Sequence, residues 1–177
     1  MANDISNYHK KNKKFFPILV GKKVTLKPIL DDEFYLRYYE WLRDPEIIKG
    51  IGGENMPLEE IIKLHSIWRE DPSNLTLGIY EKTEKPIGDI NLFDSEEFKI
   101  GPEIAIMVGA RKKGFGKEAL NLMIKYAFDS INVPQINLTV YKNNPALNLY
   151  SSLGFKIVGE KIDSKTKREE FEMVLKK

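Results

Sequence analysis

Residues 103–127 read EIAIMVGARKKGFGKEALNLMIKYA, and the fold is decided by how this stretch is read. The run Glu103-Ile104-Ala105-Ile106-Met107-Val108 has the composition of a strand. Ala119, Leu122, Met123, Tyr126 and Ala127 then recur at the spacing of one helical face. Between the two lies Arg111-x-x-Gly114-x-Gly116. A helix start exposes backbone N–H groups that have no intrahelical acceptor, and it carries the positive end of the helix dipole. Strand, glycine turn and helix in that order therefore form a recipe for holding a phosphate. Glycine at 114 and 116 lets the backbone come close to such a group, and Arg111, Lys112, Lys113 and Lys117 surround it with positive charge. On this segment alone, an ordinary strand-to-helix turn flanked by solvated lysines stays open.

Two common nucleotide motifs do not fit. The dinucleotide pattern needs a third glycine, but Gly114-x-Gly116 runs on into Lys117, Glu118 and Ala119. A P-loop needs Ser or Thr after Gly-Lys, where this chain has Glu118, and its first glycine is missing at the required spacing.

Upstream, Val24, Leu26 and Pro28 alternate with Lys23, Thr25 and Lys27 as in a half-buried strand. Asp31-Asp32 opens a helix through Phe34, Leu36, Tyr38, Tyr39, Trp41 and Leu42, which is expected to stop near Asp44-Pro45. The glycine-rich Ile48–Met56 reads as a mobile loop. After Pro57 a second helix carries Leu58, Ile61, Ile62, His65 and Trp68. Leu75–Glu81 and Pro86–Phe93 form a hairpin across residues 82–85. Downstream come a strand at Ile136–Val140, a short helix at Ala146–Leu153 and strands near Phe155–Ile162 and Phe171–Leu175. The pattern predicts one mixed α/β (α+β) domain over residues 22–177, preceded by a basic arm and lead-in over 1–21.

Composition narrows the chemistry. The 177 residues are 42% hydrophobic and 31% charged, ordinary values for a globular domain. There is no cysteine, which excludes disulfides, thiol nucleophiles and cysteine-based zinc sites, and His9 and His65 alone make a histidine metal site improbable, so no metal is expected. No apolar run is long enough to span a bilayer, and the N-terminus lacks a signal-peptide core, so the expected location is cytoplasmic, with no membrane partner. A net charge of +2 does not point to nucleic acid. Lys10, Lys11, Lys13 and Lys14 are expected to lie in a solvated arm.

The sequence at this point resembles the GCN5-related N-acetyltransferase (GNAT) superfamily. The acetyl-CoA loop of that family reads Gln/Arg-x-x-Gly-x-Gly/Ala, matched by Arg111, Gly114 and Gly116. Its downstream element, Asn-x-x-Ala-x-x-Leu-Tyr-x-x-x-Gly-Phe, is matched by Asn143, Ala146, Leu149, Tyr150, Gly154 and Phe155. The Gly-Phe-Gly-Lys-Glu-Ala run and the Pro-Glu-Ile strand start look like the ribosomal-protein N-terminal acetyltransferase subgroup. Arg37-Tyr38-x-Glu40-Trp41 and Gly88-Asp89-Ile90-Asn91-Leu92-Phe93 are similar to a smaller branch of N-acetyltransferases also found in eukaryotes.

The resemblance implies a mostly antiparallel mixed sheet, flanked by helices and splayed between its fourth and fifth strands. The pantetheine arm of acetyl-CoA would enter that opening and pair with backbone around Ile106, Met107 and Val108, as an added strand does. The phosphates would lie on Arg111, Lys112, Lys113, Gly114, Phe115, Gly116 and Lys117. Many members carry proline after the fourth strand, where this chain has Gly109-Ala110. Dimers are common in the family.

Acetyl transfer to an amine needs a neutral nucleophile, a stabilised oxyanion and a proton for the departing thiolate. With no cysteine for an acyl-enzyme, direct attack on bound acetyl-CoA is the expected route. Tyr150 matches the family's general-acid position, although Ala146, Leu149, Tyr150 and Leu153 also form a stripe that suits a core tyrosine. Asn143 is expected to cap the following helix or to bond the pantetheine arm, and Asn148 is a weaker cofactor contact. Glu103, where related enzymes often place an acidic residue, is a candidate base or a charge that attracts a cationic amine. Asp89 and Asn91 share one sheet face and, with Trp41, are candidates for the acceptor pocket. His65 falls on an apolar stripe and is expected to be packed, while Glu118 is expected to serve helix electrostatics. The acceptor implied is a primary amine, most plausibly a protein N-terminal α-amine. The alternatives are a small amine (polyamine, amino sugar or antibiotic) and a non-catalytic acyl-CoA-binding regulatory module.

Overall fold

The computed structural model describes residues 5–12, 16–110 and 113–177, residues 10–12 by backbone alone. Strands alternate as their sequences demand. Thus β2 (Val24–Lys27) buries Val24 and Leu26 and turns Thr25 and Lys27 outward. With β1 (Leu19–Val20), β3 (Asn74–Glu81), β4 (Pro86–Phe93), β5 (Glu103–Val108), β6 (Gln135–Tyr141), β7 (Lys156–Ile162) and β8 (Glu169–Lys176), it builds one eight-stranded sheet in the order β1-β2-β3-β4-β5-β6-β8-β7. Every neighbour pair is antiparallel except β5 and β6.

Helices cover both faces. On one side α5 (Phe115–Tyr126), which ends in a π-helical turn at Ala127–Ile131, packs Leu120 and Met123 against Leu75, Leu77, Ile90 and Ile104. On the other, α2 (Asp32–Trp41), α3 (Pro45–Ile51) and α4 (Leu58–Glu70) contribute Phe34, Tyr38, Ile47 and Ile61 to a second core around Met107. The acidic start predicted for α2 is a true cap, since Asp31 Oδ1 accepts from Phe34 N at 2.8 Å. Helix α6 (Leu147–Ser152) closes the far wing.

The splay lies where it was expected, between β5 and β6, the fourth and fifth strands counted from β2. These two strands meet in parallel at the single pair Glu103–Asn137 and then diverge. Asn137 is fully buried at that apex. Its backbone N–H bonds Pro102 O at 2.9 Å, and its amide Nδ2 donates to the carbonyls of Ile100 (2.8 Å) and Gly101 (2.9 Å).

Two expectations need correction. Helix α2 does stop just before Asp44-Pro45, at Trp41, but no loop follows at once: Asp44-Pro45 starts α3, with Asp44 as N-cap (2.9 Å to Glu46 N) and proline at the first turn, where its missing N–H costs nothing. The glycines begin only at the end of that helix. The first residues are likewise not a solvated arm over Ile5–Asn12, which form α1. Asp94 accepts from the N–H groups of Ile5 (2.9 Å) and Ser6 (3.0 Å), acting as a remote cap, and Ile5 is fully buried in the main core. Lys13 and Lys14 lie outside the described residues, and Lys10 and Lys11 are described by backbone only.

Candidate active site

Backbone chemistry defines the opening. Gly109 N donates to Ile87 O at 2.7 Å, and in an antiparallel ladder hydrogen-bonded pairs alternate, so Met107 and Ala105 also direct their N–H and C=O towards β4. Ile106 and Val108 therefore point theirs into the splay, where β6 has already diverged. Met107 differs from its neighbours. Its backbone is spent on β4, and its side chain is buried under α2 and α3. Of the three residues expected to pair with a pantetheine arm, Ile106 and Val108 have the free edge and Met107 supplies packing.

The turn into α5 has the geometry of a phosphate cradle. Gly114 is the N-cap, at φ +77, and no side chain caps the helix. The first intrahelical bond is Glu118 N to Gly114 O at 3.3 Å, which leaves the N–H groups of Phe115, Gly116 and Lys117 without helical acceptors. Among the described residues a Cβ on Gly116 would meet only Val108 Cγ2, at 3.6 Å. Lys113 and Lys117 are exposed; Arg111 and Lys112 lie outside the described residues. A diphosphate fits this donor set.

Gly109 explains the departure from proline. A Cβ there would lie 2.1 Å from Trp41 Nε1, so the indole sits directly on the end of β5, and a proline would also forfeit the bond to Ile87. Trp41 thus packs from the α2 side against the end of β5.

Glu103 stands at the apex. Burial pushes its carboxyl above the ordinary value, partly countered by the Ser95 hydroxyl, with Glu97, Lys161 and Glu170 as its charged neighbours. Tyr150 packs edge-on against Phe155, with ring centroids 6.1 Å apart, and among the described residues its hydroxyl has no hydrogen-bond partner. Burial alone pushes the phenol up to about 12, so it holds its proton throughout the physiological range. Asn143 does not cap α6. Asn144 Oδ1 accepts from Ala146 N at 2.9 Å in the turn that leads into α6, while Asn143 Oδ1 accepts from Arg168 Nη2 at 3.0 Å. Asn148 is exposed.

Asp89 and Asn91 do share a face, with Asn91 Nδ2 donating to Asp89 Oδ2 at 3.0 Å. That face lies under α2, however. Asp89 is only 2% exposed and packs near Tyr38, so it lies in the core under α2 and not on an open pocket wall. His65 is packed as expected, in a cage of Phe34, Tyr35, Tyr38 and Trp68, and burial lowers its pKa to about 4, which keeps it neutral. Burial raises the Asp89 carboxyl to about 7, with the Asn91 amide pulling it partly back. The native chain therefore keeps a proton that the unfolded chain releases, and the stability this contributes is present below about pH 4 and lost as pH rises towards 7. Asp89→Asn is expected to leave thermal stability near parent at pH 4 and to raise it at pH 8, by on the order of 4 kcal/mol. Melting curves at the two pH values check this; an equal effect at both would mean that Asp89 titrates normally.

An open parallel splay, an edge of β5 that faces it and an uncapped helix N-terminus at α5 together suit an acyl-CoA-dependent transferase. A family model described as acetyltransferase (GNAT) domain matches residues 23–156, and the chain belongs to this family. It is an N-acetyltransferase that uses acetyl-CoA and acts on an amine-bearing acceptor. It is 35% identical over 156 residues to an N-acetyltransferase 9-like protein of Caenorhabditis briggsae, covering 79% of this chain and 78% of the relative. It is 28% identical over 158 residues to the human alpha/beta-tubulin-N-acetyltransferase 9, covering 80% and 76%. Its fold matches the spermidine N-acetyltransferase of Vibrio cholerae in complex with CoA and spermine, with a TM-score of 0.76 at 20% identity over 88% of this chain and 96% of that one. These sequence relatives are of the N-acetyltransferase 9 kind, and placement in the ribosomal-protein subgroup finds no support among them.

Several residues of this arrangement escaped sequence reading. Asn137 builds the apex, and Arg168 ties the β7–β8 turn to α3 through Lys49 O at 2.6 Å and stacks on Tyr141. Glu118 does more than complement the helix dipole, because its carboxylate accepts the backbone N–H groups of Lys22 and Lys23.

Proposed function

We propose that this chain acetylates the α-amino group at the N-terminus of a protein, by direct transfer within a ternary complex. The observation that carries this reading is the bridge over the acceptor side of the splay. Helix α3 packs on β5, and its C-terminal end is tied to the β6–β8 wing, with Asn144 Nδ2 donating to Gly50 O at 3.0 Å and Arg168 Nη1 donating to Lys49 O. Lys165 and Glu54 add an exposed pair at 2.9 Å. A bridged approach favours an amine carried at the tip of a slender, extended chain over one embedded in a bulky surface.

When bound, acetyl-CoA supplies an activated acetyl thioester. The free edge at Ile106 and Val108 would hold the pantetheine amides, and the N–H groups of Phe115, Gly116 and Lys117, with the neighbouring lysines, would hold the diphosphate. Arg111 and Lys112, expected at the same turn, lie outside the described residues. Glu103 would draw in the cationic amine and take its proton, directly or through water; its raised pKa brings it nearer the range useful for a base. Tyr150 would deliver a proton to the departing sulfur. Desolvation that raises the phenol also raises a thiolate in the same opening, so the transfer is less uphill than the phenol's own value suggests. Glu97 and Glu170 around Glu103 would favour a positively charged acceptor.

The relatives' names make an α- or β-tubulin N-terminal peptide the first acceptor to try. The test offers such peptides, unrelated N-terminal peptides, the same peptides with blocked α-amines and an internal lysine, polyamines and amino sugars, with acetyl-CoA and mass spectrometry. Acetylation confined to free α-amines is expected. Preferential acetylation of polyamines or amino sugars would replace this reading with that of a small-amine enzyme. Absence of any product would favour an acyl-CoA-binding regulatory module.

A further inference from the structure

The turn between β1 and β2 carries no recognised motif, yet it is clamped to the first turn of α5. Both oxygens of the Glu118 carboxylate are engaged there, Oε1 by Lys22 N–H and Oε2 by Lys23 N–H at 2.9 Å. The approach is close enough that a Cβ on Gly21 would lie 2.6 Å from Glu118 Oε1 and 3.1 Å from Leu122 Cδ1. With its backbone caught, Lys23 extends along the turn. Its Nζ donates to Lys113 O at 3.1 Å and sits 3.4 Å from the position of a Cβ on Gly114, the left-handed N-cap of α5.

This places an ammonium at the positive end of a helix, beside Lys113 and Lys117, where a cation is disfavoured. Among the described residues no carboxylate pairs with it. Glu118 is taken up by backbone N–H groups, and Glu81 lies 3.8 Å from Lys113 instead. A clamp that only fastened the β1–β2 turn would need Glu118 and no lysine at 23. Among the described residues the exposed ammonium makes one hydrogen bond, to Lys113 O, and its other N–H groups are left for an anion at the start of α5.

We propose that Lys23 recognises a phosphate of coenzyme A and that Glu118 is the positioning residue that delivers it. The proposal rests on assigning the turn at residues 111–116 to the cofactor's phosphates. Two groups offer the required chemistry, the diphosphate and the 3′-phosphate of the adenosine ribose, and dephospho-coenzyme A, which lacks the latter, separates them.

The experiment is calorimetric titration of the full chain with coenzyme A, which needs no knowledge of the acceptor. Lys23→Gln is expected to raise Kd about tenfold, the loss of one charge-assisted hydrogen bond. Lys23→Arg should recover most of that loss. Lys125→Gln, which removes one positive charge from the distant end of α5, should leave Kd at the parent value. Glu118→Gln should weaken binding although Lys23 is retained; if that variant fails to fold, Lys23→Gln still decides. A Lys23→Gln penalty that persists with dephospho-coenzyme A assigns the contact to the diphosphate, and one that vanishes assigns it to the 3′-phosphate. An unchanged Kd in Lys23→Gln overturns the proposal while leaving the turn assignment standing, provided Gly116→Trp still abolishes binding. If Gly116→Trp binds as the parent does, the turn assignment fails and the role of Lys23 falls with it.

Discussion

Gly116→Trp is expected to fold, to melt within a few degrees of the parent in the absence of ligand, and to show no rise in melting temperature with acetyl-CoA. Among the described residues a Cβ at this position meets only Val108 Cγ2, at an ordinary contact distance, so the backbone raises no steric objection to a side chain there. The indole, however, would occupy the space in front of the N–H groups that open α5. The parent, by contrast, should gain about 2.7 kcal/mol at a ligand concentration one hundred times Kd, or roughly 5–10 °C for a chain of this size. Position 114 is a less clean probe. Gly114 sits at φ +77, where any other residue adds about 1–2 kcal/mol of backbone strain before binding is considered. A Gly116→Trp protein that retains the full ligand-induced shift would remove the phosphates from this turn.

Tyr150→Phe is expected to lower kcat by about 10²–10³-fold with whichever amine proves to be the acceptor, while Kd for acetyl-CoA changes little. The phenol ring already packs on Phe155, and phenylalanine keeps that contact. The hydroxyl gives up no protein partner among the described residues, so its removal leaves no buried group stranded. The two roles open to this tyrosine therefore predict different results. A core tyrosine would show parent turnover, or equal losses in stability and binding; a proton donor shows its loss in kcat alone. Because burial raises the phenol's pKa to about 12, it stays neutral well above pH 7, and the parent should also show no loss of activity from this group between pH 7 and 9.

Much of the architecture was legible in the chain because its signals are local. The alternation at Val24–Lys27, the cap at Asp31 and the strand–glycine–helix run from Glu103 onward each act within a few residues, where sterics and backbone satisfaction decide. Two misreadings also had local signals. Asp44-Pro45-Glu46 is the N-cap, proline and acidic first turn of a helix start, a signal masked by the end of α2 only three residues before it. Ile5, Tyr8 and His9 stand at helical spacing in α1, but the cap for that helix comes from Asp94, across the chain, which no local pattern announces.

The candidate site divides in the same way. Arg111, Gly114, Gly116 and Tyr150 follow from motifs, since each must present a particular group at a particular turn. The fates of Asp89, Asn143 and Glu118 do not. Alternation places Asp89 on the correct face, but only the packing of α2 above it determines that it is buried and not a wall of the pocket. Asn143 stands where a cap for α6 is expected, yet Arg168, arriving from the β7–β8 turn, takes it, and Asn144 braces the turn before the helix.

The sequence by itself therefore determined the class of protein, its cofactor and the glycine turn that we propose for the phosphates, because a helix N-terminus behind two glycines is set by neighbouring residues. The tertiary structure alone decided which edge of β5 is free, what pins the splay at Asn137, and that Lys23 reaches the phosphate turn. Those outcomes depend on contacts between residues far apart in the chain, such as Glu118 with Lys22 and Lys23, and such contacts exist only once the sheet and α5 have packed together.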